Sequence, residues 1–234
     1  MNRETVPENR AYDAVIFDMD GLMVNTEDLY CRTFNETLDR FGAPSSRAHY
    51  TVCVGHPVED NSRYAVEHYR LDTAPETFCQ TWLDRFDQAI ADPAQVGMMP
   101  GFQDLLAHVR KKGYRLGVAS STRRPRLMTT LTNGVLAHLE GPETLDDLFE
   151  VIVSGSDVVR TKPFPDIYLL ASERLRVPPA RCLALEDSES GVKAARAAGV
   201  FVIAVPHVFT AHQDHSAADL RVSSLEDVIK DNLL

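Results

Sequence analysis

The sequence predicts an α/β protein, a doubly wound, mostly parallel sheet with a small all-helical segment inserted after the first strand. Three observations lead there. Short apolar runs bounded by turn residues alternate with stretches of helical periodicity, the pattern of βαβ units. From about residue 30 to residue 96 that alternation stops and only helical periodicity remains. Every polar cluster suited to chemistry falls at or just after a strand end, where open α/β sheets hold their ligands.

The first strand ends in the apolar run Val15-Ile16-Phe17, followed by Asp18-Met19-Asp20-Gly21. In an extended chain residues two apart point to the same side, so Asp18 and Asp20 face one space beyond the strand. Two like charges that close are costly unless a cation lies between them or one is protonated. A magnesium ion suits the pair, with one carboxylate free to attack phosphorus and the other to move a proton. An isolated DxDG is ordinarily only a turn, so this reading depends on what the rest of the chain adds.

From about Glu27 to Phe41 the apolar residues Leu29, Phe34, Leu38 and Phe41 recur near helical spacing, and Gly42-Ala43-Pro44 ends the run. Further helices are expected at Val58–Tyr69 and Pro75–Ile90. Counted from Tyr30 to Val96, this segment holds six arginines and no lysine against ten acids, so it is acidic on balance. Residues 1–29 and 97–234 are assigned to the α/β core and 30–96 to the helical insert.

Beyond the insert, Phe102, Leu105, Leu106 and Val109 make one apolar face of a helix from Phe102 to Lys111, stopped by Gly113. Tyr114–Ala119 is a strand, followed by Ser120-Ser121-Thr122 and a helix from about Pro125 to Leu131. Asn133 to Asp147 is irregular. Glu150–Val153 is a third strand, and Thr161-Lys162-Pro163 leads into a helix at Ile167–Leu175. Cys182–Leu185 is a fourth strand ending in Glu186-Asp187, and Ser188 or Ser190 caps a helix at Gly191–Ala198. A strand at Phe201–Val205 and a helix at Leu225–Leu233 complete the order.

Each polar cluster has an ordinary explanation when taken alone. Ser120-Ser121-Thr122 caps a helix, Lys162 is a solvated side chain, and Glu186-Asp187 is a turn pair. Together they offer a different chemistry. Hydroxyl and N–H groups at a helix start suit a phosphate, an ammonium neutralises charge on a transferring group, and a second acidic pair supplies further oxygens for magnesium. Four ordinary explanations, each following a strand in this order, are jointly improbable. The combined pattern points to phosphoryl transfer.

Composition narrows the alternatives. At 234 residues, 44% hydrophobic and 25% charged, the chain has a globular composition able to bury a sizeable core. A net charge of −10 argues against a nucleic-acid or anionic-membrane surface. No apolar run reaches the length of a membrane span, and the first residues lack the apolar stretch of a secretory signal. Cys31, Cys53, Cys79 and Cys182 lie far apart without CxxC spacing, so inert thiols and a reducing cytoplasm are the expectation. A monomer acting on a small phosphorylated metabolite is expected, with no nucleic acid and no membrane as partner.

DMDGLMVNT, VASST, the lysine of TKPFPDIYLL and LALEDSESGVKAARAAG, joined by MPGFQDLLAHVRKKGYRLGVASS, carry a resemblance. The chain resembles a haloacid dehalogenase superfamily phosphohydrolase, of the subgroup of β-phosphoglucomutase and the 2-deoxyglucose-6-phosphate-type sugar phosphatases. The resemblance implies a Rossmann-like core and an aspartyl-phosphate mechanism. Asp18 would be the nucleophile, and Asp20 would protonate the leaving oxygen and then take a proton from water. Magnesium would be held by Asp18, the Asp20 carbonyl, Glu186 and Asp187. Ser120 and Lys162 would grip the phosphoryl oxygens, with the Ser121 N–H assisting. Residues 30–96 would form a cap that closes over the site and reads the leaving group, with His56, Glu59 and Arg123 as candidate substrate contacts.

Departures from the resembled pattern bear on the reaction. Tyr30 stands where the mutase has a cap histidine, and Val58 falls where it has a cap arginine. A mutase must hold a second phosphate there, so the expectation is a magnesium-dependent phosphatase, with a phosphosugar mutase as the alternative. Asp20 argues against a true dehalogenase, which has no alkoxide to protonate. Asn25 replaces a common aspartate, and Thr161 stands where glycine is usual.

Overall fold

The computed structural model describes residues 12–44, 46–54 and 57–234. Its core is a six-stranded, all-parallel sheet built from β1 (Ala14–Phe17), β2 (Arg115–Ala119), β3 (Val151–Val153), β4 (Cys182–Glu186), β5 (Phe201–Ala204) and β6 (Leu220–Arg221). The spatial order is β3-β2-β1-β4-β5-β6. The chain therefore winds outward from β1 in one direction and then from β4 in the other. The seam between those two adjacent strands is the topological switch point, where such sheets open a crevice at the strands' carboxyl ends.

Alternation along the strands sorts the two faces. Val15 and Phe17 of β1 enter one apolar cluster with α5 (Phe102–Lys111), α6 (Arg124–Gly134) and α9 (Leu225–Lys230). Ala14 and Ile16 enter the other, with α7 (Asp166–Leu175) and α8 (Glu189–Ala197). A sheet buried on both faces reads as continuous apolar runs rather than alternation, which is why these strands were visible in the sequence. The expected fold class is the observed one. Two elements escaped the pattern: β6 has only two residues, and α2 (Arg47–Thr51) only five, too few for a period to register.

Between β1 and α5 lie α1 (Thr26–Arg40), α2, α3 (Val58–Tyr69) and α4 (Pro75–Ile90). Asn25 caps α1: its side chain accepts the Asp28 N–H at 3.4 Å and donates to the Asp28 carboxylate at 2.9 Å. That role accounts for an asparagine at this position. These helices bury a cluster of their own, with Phe34, Leu38, Tyr50, Ala65, Phe78 and Trp82. Trp82 packs edge-on to Phe34 at 4.9 Å, and its indole N–H donates to the Thr33 hydroxyl at 3.1 Å. It is a packing residue. One side chain from the core joins this cluster, Phe209 from the segment after β5.

The irregular stretch before β3 contains short 3₁₀ turns at Leu136–His138 and Leu145–Asp147. Val135, Leu145 and Phe149 are buried there. Asn133 donates to the Ile90 carbonyl at 2.8 Å, and His138 lies 2.8 Å from the Val96 carbonyl, so the stretch also ties down the chain leaving α4. The cysteines are free thiols; Cys31, Cys53 and Cys182 are buried, and burial pushes Cys53 up to about 12. Among the described residues no helix is long and apolar enough to cross a membrane.

Replacing Trp82 by alanine empties the centre of the insert's cluster. We expect it to cost about 3–5 kcal/mol in urea unfolding. A loss below about 1 kcal/mol would show that this cluster is not closely packed.

Candidate active site

Strand register brings the acids together. Phe17 pairs with Leu185 on one side and Val118 on the other, so the residues after β1 emerge between the ends of β4 and β2. The Asp18 N–H donates to the Leu185 carbonyl at 3.0 Å, which fixes Asp18 beside Glu186 and Asp187. Because Phe17 and Leu185 both point to the α5 face, Asp18 and Glu186 point to the opposite face, toward α7. Lys162, just before α7, reaches them from that side.

Lys162 is buried, donates to the Asp18 carboxylate and lies 2.6 Å from Glu186 Oε1. The Tyr168 hydroxyl also donates to Oε1, and the Ser188 hydroxyl donates to Oε2 at 3.3 Å. Gly191 leaves the room Glu186 needs, since a Cβ there would meet its carboxylate at 2.0 Å. Ser188, rather than Ser190, caps α8 by accepting the Gly191 N–H.

Electrostatics follow from burial. Desolvation raises Asp18 well above the usual carboxylate range; Lys162 pulls it back, but Glu186, Asp187 and Asp20 push it up further. Asp187 is raised for the same reason, by burial and then by Glu186 and Glu27. Lys162 is opposed by burial, yet Asp18 and Glu186 outweigh that and hold it charged. One ammonium thus faces several carboxylates. Asp18, Glu186 and Asp187 each offer an oxygen within 4.8 Å of the others, all on buried side chains. Three hard oxygen donors with excess negative charge and one lysine fit a magnesium ion.

Asp20 sits across the site. Its Oδ2 accepts from the Thr122 hydroxyl at 2.8 Å and the Ser120 hydroxyl at 3.2 Å, and the Thr122 N–H donates to Ser120 Oγ at 3.1 Å. The structure thus brings Asp18, Asp20, Ser120, Lys162, Glu186 and Asp187 together. Ser121 is exposed next to them. Thr122 is a contact that sequence reasoning left as a helix cap. Arg124 is tied back by Asp157 at 2.7 Å and by the Ile152 carbonyl at 2.9 Å, so it serves the loop rather than a ligand.

The candidate substrate contacts fare differently. His56 lies outside the described residues. Glu59, in the first turn of α3, and Arg123, just before α6, are both exposed. Tyr30 stacks on Phe86 with ring centroids 3.8 Å apart, and burial raises its phenol.

Two residues not foreseen also face this space. Glu27 accepts the Tyr50 hydroxyl at 2.8 Å; burial raises its carboxyl, the Tyr50 bond opposes this, and Asp20 adds to the rise. His207 Nε2 lies 3.0 Å from Asp187 Oδ2, and burial lowers its pKa against the pull of Glu27 and Asp28. Neither has a motif; only the fold brings them there.

A parallel α/β sheet with an acid cluster and lysine at its switch point defines a phosphohydrolase class. The chain belongs to the haloacid dehalogenase-like hydrolase family, whose pattern matches residues 15–205, and it is a phosphoric monoester hydrolase. It is similar to protein CbbY of Rhodobacter capsulatus, 35% identical over 219 residues that cover 91% of this chain and 93% of that protein. It is also similar to a probable pseudouridine-5′-phosphatase of Saccharomyces cerevisiae, 35% identical over 213 residues and covering 84% of each. A crystal structure of a CbbY mutant from Rhodobacter sphaeroides, in complex with xylulose-(1,5)bisphosphate, superposes with a TM-score of 0.74 at 31% identity, over 93% of this chain and 96% of that one.

Asp157 fastens the loop after β3 to the start of α6. Burial pushes its carboxyl up, but hydrogen bonds from Ser154 and Arg124 outweigh that and hold it down at about 2, against 3.8. A depressed folded pKa means stability that is complete above 3.8 and lost as pH falls through about 2. The shift corresponds to about 2 kcal/mol. Asp157→Asn is expected to lose that amount at neutral pH and to flatten the acid limb of a denaturation series. An unaltered acid limb would remove Asp157 from this role.

Proposed function

We propose that the protein is a magnesium-dependent phosphatase that hydrolyses a small phosphate monoester, of the sugar-phosphate class, through an aspartyl-phosphate at Asp18. The observation that carries this reading is the arrangement around Asp18: Lys162 on its carboxylate, Glu186 and Asp187 beside it, and Asp20 held across the site by two hydroxyls. A binding module has no need of the second carboxylate.

In this reading an Asp18 oxygen attacks phosphorus, and the bond from phosphorus to the leaving oxygen breaks. Asp20 gives that oxygen a proton, and the alcohol departs. Asp20 then takes a proton from water, whose oxygen attacks phosphorus, releasing phosphate and restoring Asp18. Lys162 neutralises charge on Asp18 and on the transferring group; the Ser120 hydroxyl turns from Asp20, which Thr122 still holds, to a phosphoryl oxygen, and the Ser121 N–H contacts another. Asp18, Glu186, Asp187 and the Asp20 carbonyl would hold magnesium, which draws charge from the phosphoryl oxygens.

Residues 30–96 act as a cap that excludes water and reads the leaving group. Glu27, half-buried on the insert's side of the site, is an acceptor suited to substrate hydroxyls. The relatives support a sugar-phosphate class, one with a bound pentulose bisphosphate and another named as a probable phosphatase of a nucleoside phosphate. The mutase alternative is not favoured: Tyr30, at the cap-histidine position, is committed to an aromatic stack, and Val58 offers no charge to a second phosphate.

The test is phosphate release from a panel of sugar and nucleotide monophosphates, with magnesium and with EDTA. Turnover is expected on some hexose or pentose phosphates, absent in EDTA and restored by magnesium. Asp18→Asn should lower it by at least about 10³-fold, and Asp20→Ala by about 10²–10⁴-fold, with folding intact by circular dichroism. Wild-type turnover in Asp18→Asn would end the aspartyl-phosphate reading. Isomer formation primed by a bisphosphate, without phosphate release, would favour the mutase.

A further inference from the structure

The segment after β5 has no part in the motifs, yet it touches Asp187 at several points. His207 Nδ1 accepts the Phe209 N–H at 3.4 Å, which assigns the proton to Nε2. Nε2–H then donates to Asp187 Oδ2 at 3.0 Å. A built turn holds the histidine: its N–H donates to the Thr210 hydroxyl at 3.1 Å, and its carbonyl accepts from the N–H groups of Thr210 and Ala211 at 3.0 and 2.8 Å. Farther along, buried His215 places Nε2 2.8 Å from the Asp187 main-chain carbonyl.

Gly21 supplies an independent observation. Its φ is +75°, and a Cβ on it would lie 2.5 Å from both Asp187 Oδ2 and His207 Nε2. The turn carrying the first two acids therefore leaves room for this contact. On its other side the same segment is anchored in the insert. Phe209 is buried in the insert's apolar cluster, edge-on to Tyr50 at 5.7 Å and to His207 at 6.0 Å. Tyr50 in turn holds Glu27.

We propose that His207 is the positioning residue of Asp187, and that Phe209, seated in the helical insert, locks His207 in place, so that Asp187 is set for the cation only while the insert is seated. By occupying Oδ2, His207 leaves Oδ1 of Asp187 as the oxygen available to the cation. Outer partners of this kind fix a ligand's orientation, and their loss typically weakens metal affinity by about 10–100-fold. The inference rests on the reading of Asp187 as a metal ligand.

The test is manganese binding by the full-length protein without substrate, followed by titration calorimetry. His207→Ala should weaken binding about 10–100-fold, while His207→Gln, whose amide donates from a similar position, should recover most of it. Phe209→Ala should weaken binding several-fold, and the double variant should bind no worse than His207→Ala, because both act through one imidazole. Phe209→Leu provides the same comparison should alanine unfold the insert, as followed by circular dichroism. Wild-type affinity in His207→Ala, or simple addition of the two effects, would overturn the proposal. Wild-type protein that binds manganese but releases no phosphate from any monoester would end the phosphatase reading and leave this one standing; no manganese binding would end both.

Discussion

Lys162 is a buried ammonium set between the carboxylates of Asp18 and Glu186, with Asp187 alongside. Withdrawing such charges from water costs several kcal/mol each unless they are paired and hydrogen-bonded. Glu186 is well provided for by Lys162, Tyr168 and Ser188. Asp18 shares the same lysine, and among the described residues the Asp187 carboxylate has the imidazole of His207 and a partial claim on Lys162. The unbalanced charge is concentrated between Asp18 and Asp187, where a hard divalent cation would relieve it. In the proposed reading, the imbalance that taxes stability is the one that attracts the cation.

The fold was legible because a doubly wound sheet writes its signature locally. The strands are short apolar runs, and the helices α3, α4 and α5 follow the expected bounds closely. The acids, the serine and the lysine were legible because each closes a strand or opens a helix, and topology then brings strand ends together. What stayed hidden has no local signature. Thr122 looks like a cap, Glu27 like one more acid in a helix's first turn, and His207 and His215 like scattered histidines; each acquires its role from a partner at least 20 residues away. Arg124 likewise takes its partner, Asp157, from 33 residues along the chain.

Seating of the helical insert depends on contacts distributed over both sides of its connections. Asn133 and His138 hold the chain leaving α4, Arg126 pairs with Asp87 at 2.7 Å, and Phe209 enters the insert's own core. Phe86, Ala89 and Ile90 of α4 also enter the apolar cluster of the α5 face, so the insert is fastened by packing as well as by these polar links. Through Tyr50 the insert holds Glu27, and through Phe209 and His207 it reaches Asp187 of the acid cluster.

The most direct measurement is a crystal structure grown with manganese, with anomalous scattering used to place the ion. The account predicts an anomalous peak between Asp18 and Asp187, about 2.0–2.3 Å from an oxygen of each, with Lys162 still on Asp18. A peak elsewhere, or none in saturating manganese, would contradict it.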